Sequence, residues 1–193
     1  SALRDVDGTM ILLQRSPAAG EWRTHWTAQA ERARGDFLMT AGNPVAAELS
    51  YIQALAAIEK RYEAFQRGEY GKSTRRVHTK EGILFSKNIL MMQLGYSLLA
   101  QRKLTQAEYQ FREALKVALE IGGVNSTRVT LGIQAISHAV SEQGRIDEAL
   151  VLAKFNLEAI LKSNYPPNSL YTINARRAYA NALVSKGEFK LAA

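Results

Sequence analysis

The sequence contains no cysteine and only four prolines among its 193 residues. The lack of cysteine excludes disulfide bonds, thiolate metal sites and a cysteine nucleophile. It leaves the compartment open, because a reducing cytoplasm and an oxidising bacterial periplasm both accept such a chain. Few prolines, together with abundant Ala, Leu, Glu, Arg and Gln, favour helix over strand. We therefore expect an all-α protein.

Long apolar runs, a secretory signal and metal-binding motifs are also missing. No apolar run reaches the roughly 18 residues that span a membrane, and Gln93 and Gly95 interrupt the longest candidate. The start, SALRD, lacks the charged and then apolar pattern of a signal peptide. The three histidines, His25, His78 and His138, are far apart and show no metal-ligand spacing. These absences predict a soluble protein without membrane insertion, cofactor or catalytic residues.

One segment, GEYGKST at residues 68–74, imitates the end of a phosphate-binding P-loop. The full motif needs a glycine five residues before Gly71, where Gln66 stands, and it needs a preceding strand. The basic residues that follow in RRVHTK could contact phosphates, but apart from Tyr70 they lack interleaved aromatic residues for base stacking. We interpret the segment as a solvated connector. The net charge of +7 allows an acidic partner, and a nucleic acid is the less favoured one.

Small residues recur at regular places along the chain. In RKLTQAEYQFREALKV, which starts at Arg102, Ala107 and Ala114 stand seven residues apart, and Ala47 and Ala54 repeat that spacing. The stretch that starts at Gly144 places Ala149, Ala153 and Asn156 in the same register, and Ala192 follows in the last one. Another helical segment precedes each stretch, with one small residue seven positions before the turn: Gly35, Gly95, Ser137 and Ala180. The pattern predicts a helix, a short turn and a second helix, four times over.

The predicted helices lie near residues 21–41, 44–66, 82–101, 104–121, 126–143, 146–163 and 169–186, with a short covering helix over 6–15. Gly42-Asn43-Pro44 places a cap residue before a first-turn proline. Thr105 and Glu108 form a capping-box pattern for a later helix.

This pattern resembles the tetratricopeptide repeat (TPR), with a small residue in the first helix and alanines in the second. The resemblance covers about residues 28–193. The repeats are longer than the usual 34 residues, since 42 residues separate Gly95 from Ser137 and 43 separate Ser137 from Ala180. Such long repeats are similar to those of kinesin light chains and of bacterial proteins that carry caspase-like CHAT peptidases. The resemblance implies a right-handed superhelix of antiparallel helix pairs, a TPR solenoid.

The repeat register predicts one TPR-like domain over residues 1–193. It comprises a cap or tail at 1–20, repeat 1 at 28–66, an insertion at 67–81, repeat 2 at 82–123, repeat 3 at 124–165 and a partial repeat 4 at 166–193. The chain stops just inside a second helix, so we expect a longer parent protein and self-association through an exposed repeat end.

The small residues predict where helices cross. We expect Gly95 and Ala107 to meet where the two helices of repeat 2 approach closely. Tyr109, Phe111 and Leu115 would then fill the spaces beside such crossings.

The first helix of each pair lines the inner surface of a repeat array. Counting from the small residues gives candidate peptide-binding side chains at three successive first helices: Met92, Tyr96, Gln134, His138, Arg177 and Asn181. Arg177 and Asn181 resemble part of the carboxylate clamp of chaperone-binding TPR domains, although Gln134 and His138 replace the clamp residues of the preceding repeat. The sequence thus predicts a non-catalytic scaffold that binds a protein or peptide. The alternatives are a helical regulatory region of a larger enzyme, such as a CHAT peptidase, and a nucleic-acid-binding solenoid.

Overall fold

The computed structural model describes residues 2–15, 20–70, 78–124, 126–163 and 165–192, and over these ranges it contains helices and turns without a strand. The helices are α1 (Ala2–Arg15), α2 (Gly20–Thr40), α3 (Pro44–Gln66), α4 (Lys80–Ala100), α5 (Leu104–Gly122), α6 (Thr127–Glu142), α7 (Ile146–Lys162), α8 (Leu170–Lys186) and α9 (Phe189–Ala192). The P-loop-like Gly71, Lys72 and Ser73 and the basic Arg75 and Arg76 lie outside the described residues.

The predicted bounds of the seven long helices agree with the structure to within two residues at each end. Of the two predicted N-terminal caps, one is confirmed and one is wrong. Asn43 caps α3 as expected, since its side chain accepts a hydrogen bond from the backbone nitrogen of Ala46 at 3.1 Å and Pro44 opens the helix. The capping box at Thr105 is wrong, because α5 already begins at Leu104 and Lys103 is its N-cap, without a side-chain bond.

The first helices of the pairs are α2, α4, α6 and α8, and the second helices are α3, α5, α7 and α9. The turn that ends each first helix contains a residue with positive φ two positions before the second helix. Gly42, Gly144 and Gly187 take this place with φ of 75°, 79° and 84°. Glycine adopts this left-handed conformation without a steric penalty. In the α4–α5 turn the residue is Arg102, with φ of 62°. The turn geometry is therefore retained even where the sequence lacks glycine.

The chain divides into two compact units, residues 1–102 and 103–193. In the first unit, α1 packs on α2, α2 on α3 and α3 on α4. α2 and α3 approach closely at Gly35 in α2, where a Cβ atom would lie 2.4 Å from the ring of Tyr51 in α3. Tyr51 is only 2% exposed. A side chain at position 35 would thus collide with a buried aromatic ring, which explains the small residue there.

By length and composition α4 could cross a membrane, which the run-length argument from the sequence had not foreseen. Many of its apolar residues are nevertheless buried, among them Ile83, Leu90 and Leu94. A core helix of a folded unit can pass the same test of length and composition, so α4 by itself is weak evidence for a membrane span.

The second unit packs its helices in chain order, α5 on α6, α6 on α7, α7 on α8 and α8 on α9. The hydroxyl of Ser137 in α6 donates to the backbone oxygen of Ala149 in α7 at 2.9 Å. Ser137 and Ala149 hold the register positions of Gly95 and Ala107, whose crossing stays a prediction. Phe111 is fully buried as expected. The expectation for Tyr109 is wrong, because this side chain is 60% exposed on the outer face of α5.

Glutamine side chains at the ends of first helices bind the second helix of the preceding pair. In the first unit, Gln101 Nε2 donates to the backbone oxygen of Pro44 at 3.1 Å and to Glu48 Oε2 at 2.7 Å. In the second unit, Gln143 Nε2 donates to Glu108 Oε2 at 2.8 Å. Each bond ties the turn of one helix pair to the start of the second helix before it.

Glu108 collects further partners. Its carboxylate lies 2.7 Å from Nη2 of Arg112 and 2.7 Å from Nη1 of Arg145. Burial alone would raise the pKa of Glu108, but the hydrogen bonds from Gln143 and Arg112 and the charges of Arg112 and Arg145 outweigh it and lower the pKa. The ionised form of Glu108 is therefore the one that stabilises the second unit.

Candidate functional site

The candidate side chains of the first unit lie on α4. Met92 is half-buried and Tyr96 is 42% exposed. Partial burial raises the pKa of the Tyr96 hydroxyl, so this group is protonated at neutral pH. Tyr96 therefore offers an apolar ring with a polar tip, the amphipathic character that is common at binding surfaces.

On α2, the other first helix of this unit, the acidic residue Asp36 is bonded to side chains of the fold. Asp36 accepts a hydrogen bond from the hydroxyl of Tyr51 at 2.8 Å and a second one from the side-chain amide of Gln93 in α4. Arg32 lies 3.9 Å from the other carboxylate oxygen. Burial, and then the bond to Asp36, raise the pKa of Tyr51. Asp36 thus serves the packing of α2, α3 and α4.

The candidate side chains of the second unit lie on α6 and α8, two first helices that contact one another. Gln134 and His138 are one helical turn apart on α6, and Arg177 and Asn181 repeat that spacing on α8. His138, Arg177 and Asn181 are exposed, whereas Gln134 is half-buried. The four side chains therefore hold equivalent positions on α6 and α8, and three of them are exposed.

Three of these four side chains have no partner within the described part of the chain. The structure shows no side-chain hydrogen bond or ion pair for Gln134, Arg177 or Asn181 among the residues that it describes. His138 Nε2 lies 3.9 Å from Glu142 Oε1 on the same helix. A guanidinium group can bind a carboxylate through two parallel hydrogen bonds, and the two amides can each donate to and accept from a peptide backbone. Their role in binding stays a prediction.

The histidines do not come together as a metal site. Over the described ranges no group of three or more His, Asp or Glu side chains could hold a metal ion. His25 is half-buried and packs edge-on against Trp26, with ring centroids 5.3 Å apart. Burial, and then the charges of Arg61 and His78, lower the pKa of His25. His25 is therefore best described as a neutral side chain that packs against Trp26.

The sequence reasoning missed an apolar groove on the second helices of the second unit. Phe155 in α7, which lines this groove, occupies the register at which α3 and α5 carry the polar residues Gln53 and Glu113. An aromatic residue at a repeat position that is polar in the other second helices is the sequence signal that could have indicated this groove.

No protein-family model matches the chain, and no curated protein sequence matches it either. Among solved structures, two crystal structures of kinesin light chain TPR-like repeats from Podosopora anserina superpose with TM-scores of 0.71 and 0.69. Their sequence identities to this chain are 13% and 12%. Each alignment covers 98% of this chain, and the two alignments cover 79% and 80% of the respective crystal structures. BtubC (BKLC) from P. vanneervenii superposes with a TM-score of 0.53 at 14% identity, over 99% of the chain and 85% of its own length.

These similarities show the fold. The chain has a TPR-like repeat fold, and the predicted class, an all-α TPR solenoid of antiparallel helix pairs, is confirmed. The predicted likeness to kinesin-light-chain repeats is confirmed at the level of structure. The division into repeats and the candidate binding residues stay predictions.

Proposed function

We propose that the protein is a non-catalytic scaffold that binds a protein or peptide partner through the exposed faces of its first helices. The TPR-like repeat fold supports this proposal, because such folds present rows of helices to extended partners. The observation that carries it is the pair of exposed side chains on α8, Arg177 and Asn181, for which the structure shows no hydrogen bond or ion pair among the residues that it describes.

The side chains suggest how a peptide would bind. Arg177 pairs with an acidic side chain or a terminal carboxylate of the peptide. Asn181, Gln134 and His138 bond to its extended backbone, and these polar contacts set its register. In the first unit, taken by itself, Tyr96 offers a partner an exposed aromatic ring.

The test compares Arg177→Glu with Arg176→Glu. Arg176 is exposed on the same helix, immediately before Arg177, and therefore faces another direction. Peptides are selected from a display library with free carboxyl termini against the purified full chain, and each selected peptide is also made with an amidated terminus. Arg177→Glu should weaken binding by about tenfold or more, as loss of a charge-assisted pair predicts. Arg176→Glu should leave it close to the parent value.

Two controls complete the design. Circular dichroism and melting must show that both variants fold like the parent. If Arg177→Glu and Arg176→Glu bind the selected peptides equally well, the exposed face of α8 is not the binding surface and the proposal fails.

A further inference from the structure

The second unit contains a groove of about 620 Å³ between its two second helices. Leu115 and Leu119 of α5 form one wall, and Phe155 and Ala159 of α7 form the other. The floor is the start of α6, with Ile133, since α6 contacts both α5 and α7. The volume lies within the range of about 300–1,000 Å³ that is usual for ligand sites.

The interior of the groove is lined mainly by apolar side chains, and its two hydroxyl groups are already bonded within the fold. The hydroxyl of Thr130 donates to the backbone oxygen of Thr127 at 2.7 Å, and the hydroxyl of Ser163 donates to that of Ile160 at 2.7 Å. Neither group needs a ligand to satisfy it. The interior of the groove therefore offers contact with apolar groups and few hydrogen bonds.

The most exposed apolar side chains of the groove stand at its edges. Val124, in the α5–α6 turn, is 70% exposed, Phe155 is 59% exposed and Leu119 is 40% exposed. A small molecule that filled only the floor would leave these edges in water. An occupant that covers them must rise above both walls, as a helix with a diameter of about 10 Å would.

The size of the surface argues against a second folded domain or a second copy of the chain. Eleven residues line the groove, whereas a stable interface between folded proteins uses roughly 20–30 residues on each side. A single helix of a partner needs a smaller surface of this kind, because only its apolar stripe is buried.

Two charged residues on α7 indicate which charges a bound helix would carry beside its apolar stripe. Glu158 and Lys162 line the groove one helical turn apart, and the structure gives neither of them an ion pair within the described residues. A helix with a basic and an acidic residue, also one turn apart, would complement both charges.

We propose that this groove, between α5 and α7 on α6, binds one amphipathic helix of a protein partner. The helix lays an apolar stripe between the two walls and places a basic residue at Glu158 and an acidic residue at Lys162. The proposal deepens the proposed function, because it adds a second recognition surface for a protein partner, on the second helices instead of the first.

The probe is a phage-displayed library of helical peptides of about 16 residues, long enough to form a helix on binding. It is selected against the purified full chain. The recovered peptides should share apolar residues at a spacing of three and four. Phe155→Lys should weaken their binding by about tenfold or more, since truncating or replacing one large aromatic contact residue often costs this much.

Val151→Lys is the matched control. Val151 lies one turn before Phe155 on α7 and is 67% exposed, but it does not line the groove. Both variants exchange an exposed apolar residue for lysine, so an equal effect of the two on peptide binding overturns the proposal. Recovery of no helical peptide overturns it as well.

Other occupants give different results. Dimerisation of the parent in sedimentation equilibrium, abolished by Phe155→Lys, would assign the groove to a second copy and refute the helix proposal. Binding of an apolar dye, displaced by no selected peptide, would make it a small-molecule site and also refute it. Arg177→Glu should leave the selected helices bound, so failure of the first-helix surface and failure of the groove can be told apart.

Discussion

Replacing Gly35 by alanine should destabilise the first unit, although alanine is the better helix former. Gly35 lies inside α2, and the added Cβ atom would lie 2.4 Å from Cε1, 2.7 Å from Cδ1 and 2.8 Å from Cζ of Tyr51. Ordinary contacts of a Cβ atom lie at 3.4–4 Å. The ring or the helix would therefore have to move by about 1 Å in a close-packed interior.

Tyr51 has little freedom to move. The side chain is 2% exposed, and its hydroxyl donates to Asp36 Oδ1 at 2.8 Å. Overpacking of this kind costs about 1–3 kcal/mol, and a weakened hydrogen bond adds to the loss. Against this, alanine in place of glycine contributes about 0.8–1.0 kcal/mol to the helix. We expect the free energy of unfolding to fall by about 1–2 kcal/mol after both effects are counted.

The assay uses the two tryptophans, which both lie in α2. Their fluorescence during urea unfolding therefore reports on the first unit. Gly8→Ala is the matched control, because Gly8 is also inside a helix of this unit and its added Cβ atom would meet nothing within 4 Å. This control should leave stability unchanged or raise it by up to about 1 kcal/mol.

A double variant tests the cause. Tyr51→Leu removes the ring, so adding Gly35→Ala to it should cost little further stability, and the two changes should couple. Gly35→Ala with a stability equal to or above the parent value would refute the reasoning, since Tyr51 would then have room to move. Additive losses in the double variant would show that the ring is not the obstacle.

Three further changes test other features. Arg102→Gly should raise the free energy of unfolding by up to about 1 kcal/mol in urea titration. Glycine removes the penalty of a left-handed residue, about 1–2 kcal/mol, but loses more conformational entropy on folding, about 0.5–1 kcal/mol. A loss of stability instead would mean that the arginine side chain contributes more than the backbone strain costs. Glu108→Gln should lower stability at neutral pH by about 1.5–3 kcal/mol, as loss of charged hydrogen bonds predicts. The pKa of Glu108 is lowered in the fold, so the parent should lose this contribution to stability as pH falls below about 4.3. The melting temperature of the variant should change less than that of the parent over the same pH range. An equal change in the two melting temperatures would contradict this. Asn156→Ala should keep or raise the melting temperature, because the buried Asn156 amide makes no hydrogen bond to the described residues and an unpaired amide costs about 1–3 kcal/mol. Ala114, in the same register of α5, is buried without a polar group. A marked fall in the melting temperature would indicate a partner for the Asn156 amide.

The local signals of the chain determined most of the architecture. Apolar residues at helical spacing, few prolines and glycine at the turns were enough to place seven helices within two residues. Two of the recurring small positions contact one another in the structure, where the hydroxyl of Ser137 donates to the backbone oxygen of Ala149. These signals succeed because helix formation and close helix approach depend on neighbours along the chain and on side-chain volume.

The tertiary structure alone decided which polar and aromatic side chains are used in packing. Thr105 and Glu108 match a capping box, yet Glu108 bonds to Gln143 and Arg145, which lie more than thirty residues away along the chain. Tyr109 was expected inside and is exposed, whereas Phe155 lines a groove that the repeat register did not indicate. A side chain's partners depend on which distant helices pack beside it, and the free energy of burying or exposing it is set by those contacts, which local spacing does not encode.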